Sequence, residues 1–161
     1  MRYAHWAAEA TRFFHSPALR TFSRISRIFA ANDYDARWTI ACGREVVRRR
    51  QVIMWFPEGW RSPDGCLQPF ARGIGAVLAS QPVPVVPVYL SGTFEAMPRT
   101  ARRPRFNMPL RVIVGEPLDP IALSGNASER DKPARIVAAL HAAMRKLEAQ
   151  ALGTGQAYRG P

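Results

Sequence analysis

The chain has 161 residues, 47% of them hydrophobic, with 23 basic against 12 acidic side chains and a net charge of +11. That length fits one domain with a sizeable core, and the composition excludes wholesale disorder. The charge excess is arginine at every basic position except Lys132 and Lys146, and it favours anionic partners: phosphorylated substrates, acidic lipid or nucleic acid. Cys42 and Cys66 stand in neither a metal-type nor a C-x-x-C spacing, so two free thiols and no metal site are expected, in a reducing compartment. No apolar stretch reaches membrane-spanning length. Glu9, Arg12 and His15 interrupt what would be the apolar core of a signal peptide, which points to cytoplasmic residence.

Residues 3–15 are alanine-rich and predict a helix with Trp6, Phe13 and Phe14 as its bulky members. Ser16-Pro17 reads as an N-cap and first helical position of a second helix, to about Phe29. Its Leu19, Phe22, Ile25, Ile28 and Phe29 fall at helical spacing, with Arg20, Arg24 and Arg27 on an adjoining face. That basic amphipathic pattern fits an apolar face on the core or an interfacial helix on anionic lipid. Asn32–Asp35 is a turn cluster that can cap a helix over about 36–49. Arg48, Arg49 and Arg50 near its end suit the negative pole of the helix dipole.

Val52–Phe56 predicts a short buried strand, which Pro57 ends. Ser62-Pro63-Asp64-Gly65 is a turn, and Pro69–Gly75 starts a helix that runs into Ala76–Ala79. Val83–Leu90 reads as a valine-rich strand, placed near an edge or bulge by Pro84 and Pro87. Arg99–Arg105 is a basic loop, and Leu110–Val114 another strand. Residues 128–150 carry Ile136, Leu140, Met144 and Leu147 at helical spacing, and a flexible tail is expected over 153–161. Strands alternating with helices predict an α/β fold, a sheet with flanking helices, in one domain over 1–152.

The chemistry gathers behind the strand, in Phe56-Pro57-Glu58-Gly59-Trp60-Arg61-Ser62. Pro57 and Gly59 impose a bend at a strand's carboxyl end, where open α/β sheets bind ligands. Arg61 and Arg72 bracket the following turn and can converge on one phosphate, each guanidinium gripping two oxygens. Gly73 and Gly75 at a helix start add free N–H groups and the positive dipole end. Glu58 can hold Arg61, bond a substrate hydroxyl, or form with Arg61 a pair that only fixes the loop.

This run resembles the F-P-E-G-x-R-S signature of the PlsC-type glycerolipid acyltransferases, the lysophosphatidic acid acyltransferase family. The likeness continues through Pro63-Asp64-Gly65, Leu67-Gln68-Pro69-Phe70, Arg72-Gly73-Ile74-Gly75, Val83–Val88 and Gly92–Pro98. It covers residues 51 to about 119 and is weaker over 3–50. It implies a glycerol-3-phosphate acyltransferase-like fold, incomplete at the N-terminus. It also implies an acceptor site of Phe56, Pro57, Glu58, Gly59, Arg61, Ser62, Arg72 and Gly73, with the arginine on the phosphate of a lysophospholipid. The implied reaction moves a fatty acyl group from acyl-CoA or acyl carrier protein to a glycerol hydroxyl, with no other cofactor. The implied setting is an anionic membrane surface at the inner face of the cell membrane; the sequence holds no recognised nucleic-acid-binding motif, and no nucleic-acid partner is expected.

The family's base is the histidine of H-x-x-x-x-D, oriented by the aspartate. Here His5, His15 and His141 are followed five residues later by Ala10, Arg20 and Lys146. The family's G-x-x-F-x-x-R block falls on Ser26, Phe29 and Asn32. The expectation is a chain that begins after the catalytic motif and binds better than it catalyses. His5 with Glu9, one helical turn away, is the substitute catalytic pair to consider. A non-catalytic membrane- or lipid-binding module is the alternative.

Overall fold

The computed structural model describes residues 3–9, 16–31 and 36–156. Phe13, Phe14, His15 and the Asn32–Asp35 turn lie outside them. The first described element corrects the sequence expectation: Ala4–Glu9 is a strand, β1, and not part of a helix. The helix preference of alanine is worth only a few tenths of a kcal/mol per residue over most alternatives. Here it is overridden by hydrogen-bond ladders on both sides of the segment. Helix α1, Pro17–Ile25, starts as expected, with Ser16 Oγ accepting from the Leu19 amide at 3.3 Å. It ends earlier than expected. Arg27 takes a left-handed φ of 55° and turns the chain, so that Ile28 and Phe29 enter strand β2, Ile28–Ala31.

Helix α2, Ala36–Arg48, leads into β3, Val52–Met54. Arg48 and Arg49 both bond Glu45, at 2.7 and 2.6 Å, and pull its carboxyl pKa down to about 2. β1 pairs in parallel with β2 and with β3, giving the order β2-β1-β3. Because β2 and β3 flank β1 on opposite sides, right-handed crossovers place α1 and α2 on opposite faces.

Helix α3, Gly73–Ser80, is followed by β4, Val88–Ser91, and a single helical turn α4, Thr93–Ala96. Strand β5, Arg111–Val114, pairs antiparallel with β4 in a second sheet. Only the latter part of the Val83–Leu90 run joins that ladder. Pro84 and Pro87 cannot donate to it, and Val85 instead bridges Leu118. Helix α5, Pro120–Ser124, is capped by Asp119, whose Oδ1 accepts from the Ile121 amide at 2.9 Å. Helix α6, Lys132–Gln156, continues through residues 153–156, where a tail was expected. Residues 157–161 lie outside the description.

The core joins α3 to α6 through Ile74, Leu78, Ile136 and Leu140, with Trp55, Phe70, Val83, Val85 and Leu118 packed around them. Gly75 allows this approach, because a Cβ there would run into the carbonyl of Pro133 and the side chain of Val137. Gly75→Ala should therefore destabilise the fold by about 3 kcal/mol, as overpacking against backbone does. Gly153→Ala, with open space around it, should stabilise α6 by about 0.5 kcal/mol. Urea unfolding curves of the two variants check both signs.

Candidate active site

The motif begins where β3 stops. Trp55 turns into the core against Gly43 and Gly73, while Phe56 points the other way, half exposed, and stacks on Trp6 at 6.5 Å between centroids. Gly59 takes a φ of 77° and its amide donates to Phe56 O at 3.1 Å, making the bend that glycine permits. The loop is closed at its base by the Ala71 amide donating to Pro57 O at 2.7 Å. That bond brings the start of α3, with Arg72 and Gly73, to the beginning of the motif.

Ser62 closes the turn that follows. Its Oγ accepts from the Gly65 amide at 2.9 Å and lies 2.8 Å from Cys66 O. The Cys66 amide and then the Ser62 hydroxyl, with Gln68 Nε2 adding a little, bond the Asp64 carboxylate and hold its carboxyl below the usual range. Ser62 thus shapes the loop.

Glu58 and Arg61 take separate partners, so the ion pair considered from sequence does not form. The Glu58 carboxylate turns inward and accepts from the Gln68 amide at 2.9 Å. Burial pushes its pKa above the ordinary 4.5, with the Glu148 charge adding to the rise and the Gln68 amide and His141 opposing it. Arg61 reaches across to the segment after α4. Its Nη1 donates to Met97 O and Pro98 O at 3.3 and 3.2 Å, and its Nη2 to Arg99 O at 3.1 Å. The Arg99 guanidinium in turn lies 5.2 Å from the centre of the Trp60 ring. Arg72 is exposed at the N-cap of α3, which has no side-chain cap and no acid in its first turn. These are adjoining positive groups with anion-binding character.

Sequence reasoning missed the supports beneath the loop. Glu148 of α6 accepts from the Leu67 amide at 2.8 Å, and His141 of α6 meets Phe70 edge to face at 4.9 Å. The legible signal was two polar residues, seven apart, beside the apolar stripe of a long helix.

His5 lies elsewhere. It lines a cleft of about 410 Å³ with Phe29, Trp38, Cys42, Glu45 and Arg49, and none of residues 56–62 borders that cleft. Burial, then the charges of Arg27 and Arg49, lower its pKa below 6.5. The His5–Glu9 pair assumed a helix; in a strand, four residues span about 13 Å. Cys42 and Cys66 are free thiols. Among the described residues no cluster of three His, Cys, Asp or Glu is placed to hold a metal, and no helix is long and apolar enough to cross a membrane.

A bent loop beyond a strand of an α/β sheet, bearing arginines beside a helix N-terminus, has the layout in which folds of this class receive anionic ligands. A family model described as Acyltransferase matches residues 2–91, and the chain belongs to that family. It is 39% identical over 74 residues to a chloroplastic 1-acyl-sn-glycerol-3-phosphate acyltransferase of Brassica napus, covering 46% of this chain and 22% of that one. It is 29% identical over 121 residues to the mouse 1-acyl-sn-glycerol-3-phosphate acyltransferase alpha, covering 73% and 41%. Its fold resembles the crystal structure of the acyltransferase PlsC from Thermotoga maritima at a TM-score of 0.61 and 22% identity, over 91% of this chain and 57% of that one. The chain thus spans less than half the length of these curated relatives.

The burial of Glu58 gives a signed expectation. A carboxyl whose folded pKa is raised contributes stability that is complete below the unfolded value, 4.5, and is lost as pH rises through the folded value. Glu58→Gln, neutral throughout, should flatten that decline, as measured by urea unfolding across about pH 4 to 8. An unchanged slope would place the carboxyl in water.

Proposed function

We propose that the site belongs to a lysophosphatidic acid acyltransferase, in which the loop from Phe56 to Gly73 receives the phosphate-bearing acceptor. The observation that carries this reading is the closure of the loop by the Ala71–Pro57 bond. It sets Arg72 and the uncapped start of α3 beside Pro57, at the beginning of the run that holds Phe56, Pro57, Glu58, Gly59, Arg61 and Ser62. Arg72 and the amides at Gly73 supply charge and donors for a phosphate. Arg61 holds the rim through three carbonyls. The relatives named as 1-acyl-sn-glycerol-3-phosphate acyltransferases support the same acceptor class.

The reaction is attack of the acceptor hydroxyl oxygen on the carbonyl carbon of an acyl thioester, from acyl-CoA or acyl carrier protein. The new C–O bond replaces the C–S bond, and the thiol leaves with the proton of the alcohol. A base must take that proton and donors must stabilise the oxyanion. The 161 residues contain no H-x-x-x-x-D, and His5 opens on a different cleft. This chain alone, given lysophosphatidic acid and acyl-CoA, should therefore release almost no free CoA. Turnover that vanishes in His5→Ala would overturn this. Arg72→Ala should weaken binding of a short-chain lysophosphatidic acid about tenfold, the scale of a charge-assisted hydrogen bond. Isothermal titration reads that change.

A membrane-binding reading, peripheral and at the inner face of the cell membrane, is favoured by two exposed surfaces. Helix α1 presents Phe22 and Ile25, 52% and 77% exposed, alongside Arg24. The loop tied to Arg61 presents Arg99, Arg102, Arg103 and Arg105, all exposed, next to Phe106 at 85%. Arginines flanking exposed aromatics suit an anionic lipid interface. Co-sedimentation with phosphatidylglycerol vesicles should be lost in high salt; binding that is equal on neutral vesicles would refute it.

A further inference from the structure

We infer that Glu148 of α6 is a positioning residue for the acceptor loop. It acts by holding the Leu67 amide and so setting where the loop delivers Arg72. Glu148 lies outside the Phe56–Gly73 segment that carries the motif chemistry. The inference rests on the reading of that loop as the acceptor site.

Three successive supports bear on the far side of the loop. Glu148 Oε1 accepts from the Leu67 amide at 2.8 Å, Glu58 Oε2 accepts from the next amide, Gln68, at 2.9 Å, and Phe70 rests on the His141 ring at 4.9 Å. The next residue, Ala71, makes the bond to Pro57 that seats Arg72. Two of the three supports come from α6, one face of which is fixed in the core by Ile136 and Leu140. A shift of Glu148 thus moves the loop relative to the helix start that would receive the phosphate.

Glu148 is itself held in place. Its side chain is 14% exposed, its Oε2 lies 3.7 Å from Arg145 Nε, and the Tyr89 hydroxyl faces it. Around it stand Glu58 from the loop, Tyr89 from β4, and Arg145 and His141 from its own helix, the last with a buried Nε2 that bonds no described residue. Two carboxylates on consecutive amides repel, so Glu148 influences Glu58 through charge as well as position.

The test uses the whole chain, sn-glycerol 3-phosphate as probe, and nuclear magnetic resonance of the Leu67 amide and the Glu58 carboxyl carbon. Glu148→Ala should weaken probe binding about tenfold and move the Leu67 amide resonance. Glu148→Gln, whose amide oxygen still accepts from Leu67, should bind within about twofold of the parent. In both variants Glu58 should titrate at lower pH, because a like charge is gone. A purely structural role would make affinity follow melting temperature across the variants. Glu148→Ala binding like the parent with Leu67 unmoved, or Gln behaving as badly as Ala, would overturn the inference. If Glu148→Ala does not fold, Glu148→Ser, too short to reach the Leu67 amide, takes its place and should move the Leu67 resonance; no movement would count against the proposal. Absence of probe binding by the parent chain would sink the acceptor reading instead. The Leu67 and Glu58 signals would still decide the role of Glu148.

Discussion

Helix α3 lies against α6 because Gly75 has no side chain, and the rest of the site is built on that approach. Ile74 and Leu78 meet Ile136 and Leu140 across it, and Trp55 and Phe70, on either side of the motif, pack onto the same cluster. The motif loop leaves the core at Trp55 and returns at Phe70, so its span is fixed by core packing before any polar bond forms. The hydrogen bonds from Leu67, Gln68 and Ala71 then choose one arrangement of the loop within that span. Burial sets the frame and directional bonds set the register within it, which is the usual division of labour between the two.

The side chains of the motif divide by direction. Glu58 and Ser62 face the loop's own backbone and shape it. Arg72 is exposed at the start of a helix. Arg61 does both: its guanidinium draws the Met97–Arg99 backbone toward the motif and thereby brings a basic loop beside it. An arginine whose donors satisfy three carbonyls is a structural clamp. Lysine, a point charge on a flexible stem, would not reproduce that fork.

The site was legible in the sequence to the extent that it is local. Pro57 and Gly59 announce the bend, and Ser62-Pro63-Asp64-Gly65 announces the turn that the structure shows. The amphipathic spacing of Ile136, Leu140 and Leu147 places α6 correctly. What escaped is what depends on partners distant in the chain. Alanines near the N-terminus favour helix in isolation, yet Ala4–Glu9 is a strand because β2 and β3 flank it. Ile28 and Phe29 continue a helical spacing, yet Arg27 turns the chain before them. The partners of Glu58 and Arg61 lie on Gln68 and on residues 97–99, and no spacing rule connects those positions. Helix α5 is legible from Asp119-Pro120, a cap and a first-turn proline.

The strand pairing has a consequence for behaviour in solution. Among the described residues β2, β3, β4 and β5 each pair on one side only, and β5 adds exposed Val112 and Val114. Unpaired ladders of this kind are templates for edge-to-edge aggregation. The chain meets them with its arginine surplus: a net charge of +11 makes two copies repel before their strand edges can meet. The same cations that suit an anionic ligand therefore act as gatekeepers against self-association, and high salt or a polyanion would weaken both roles together.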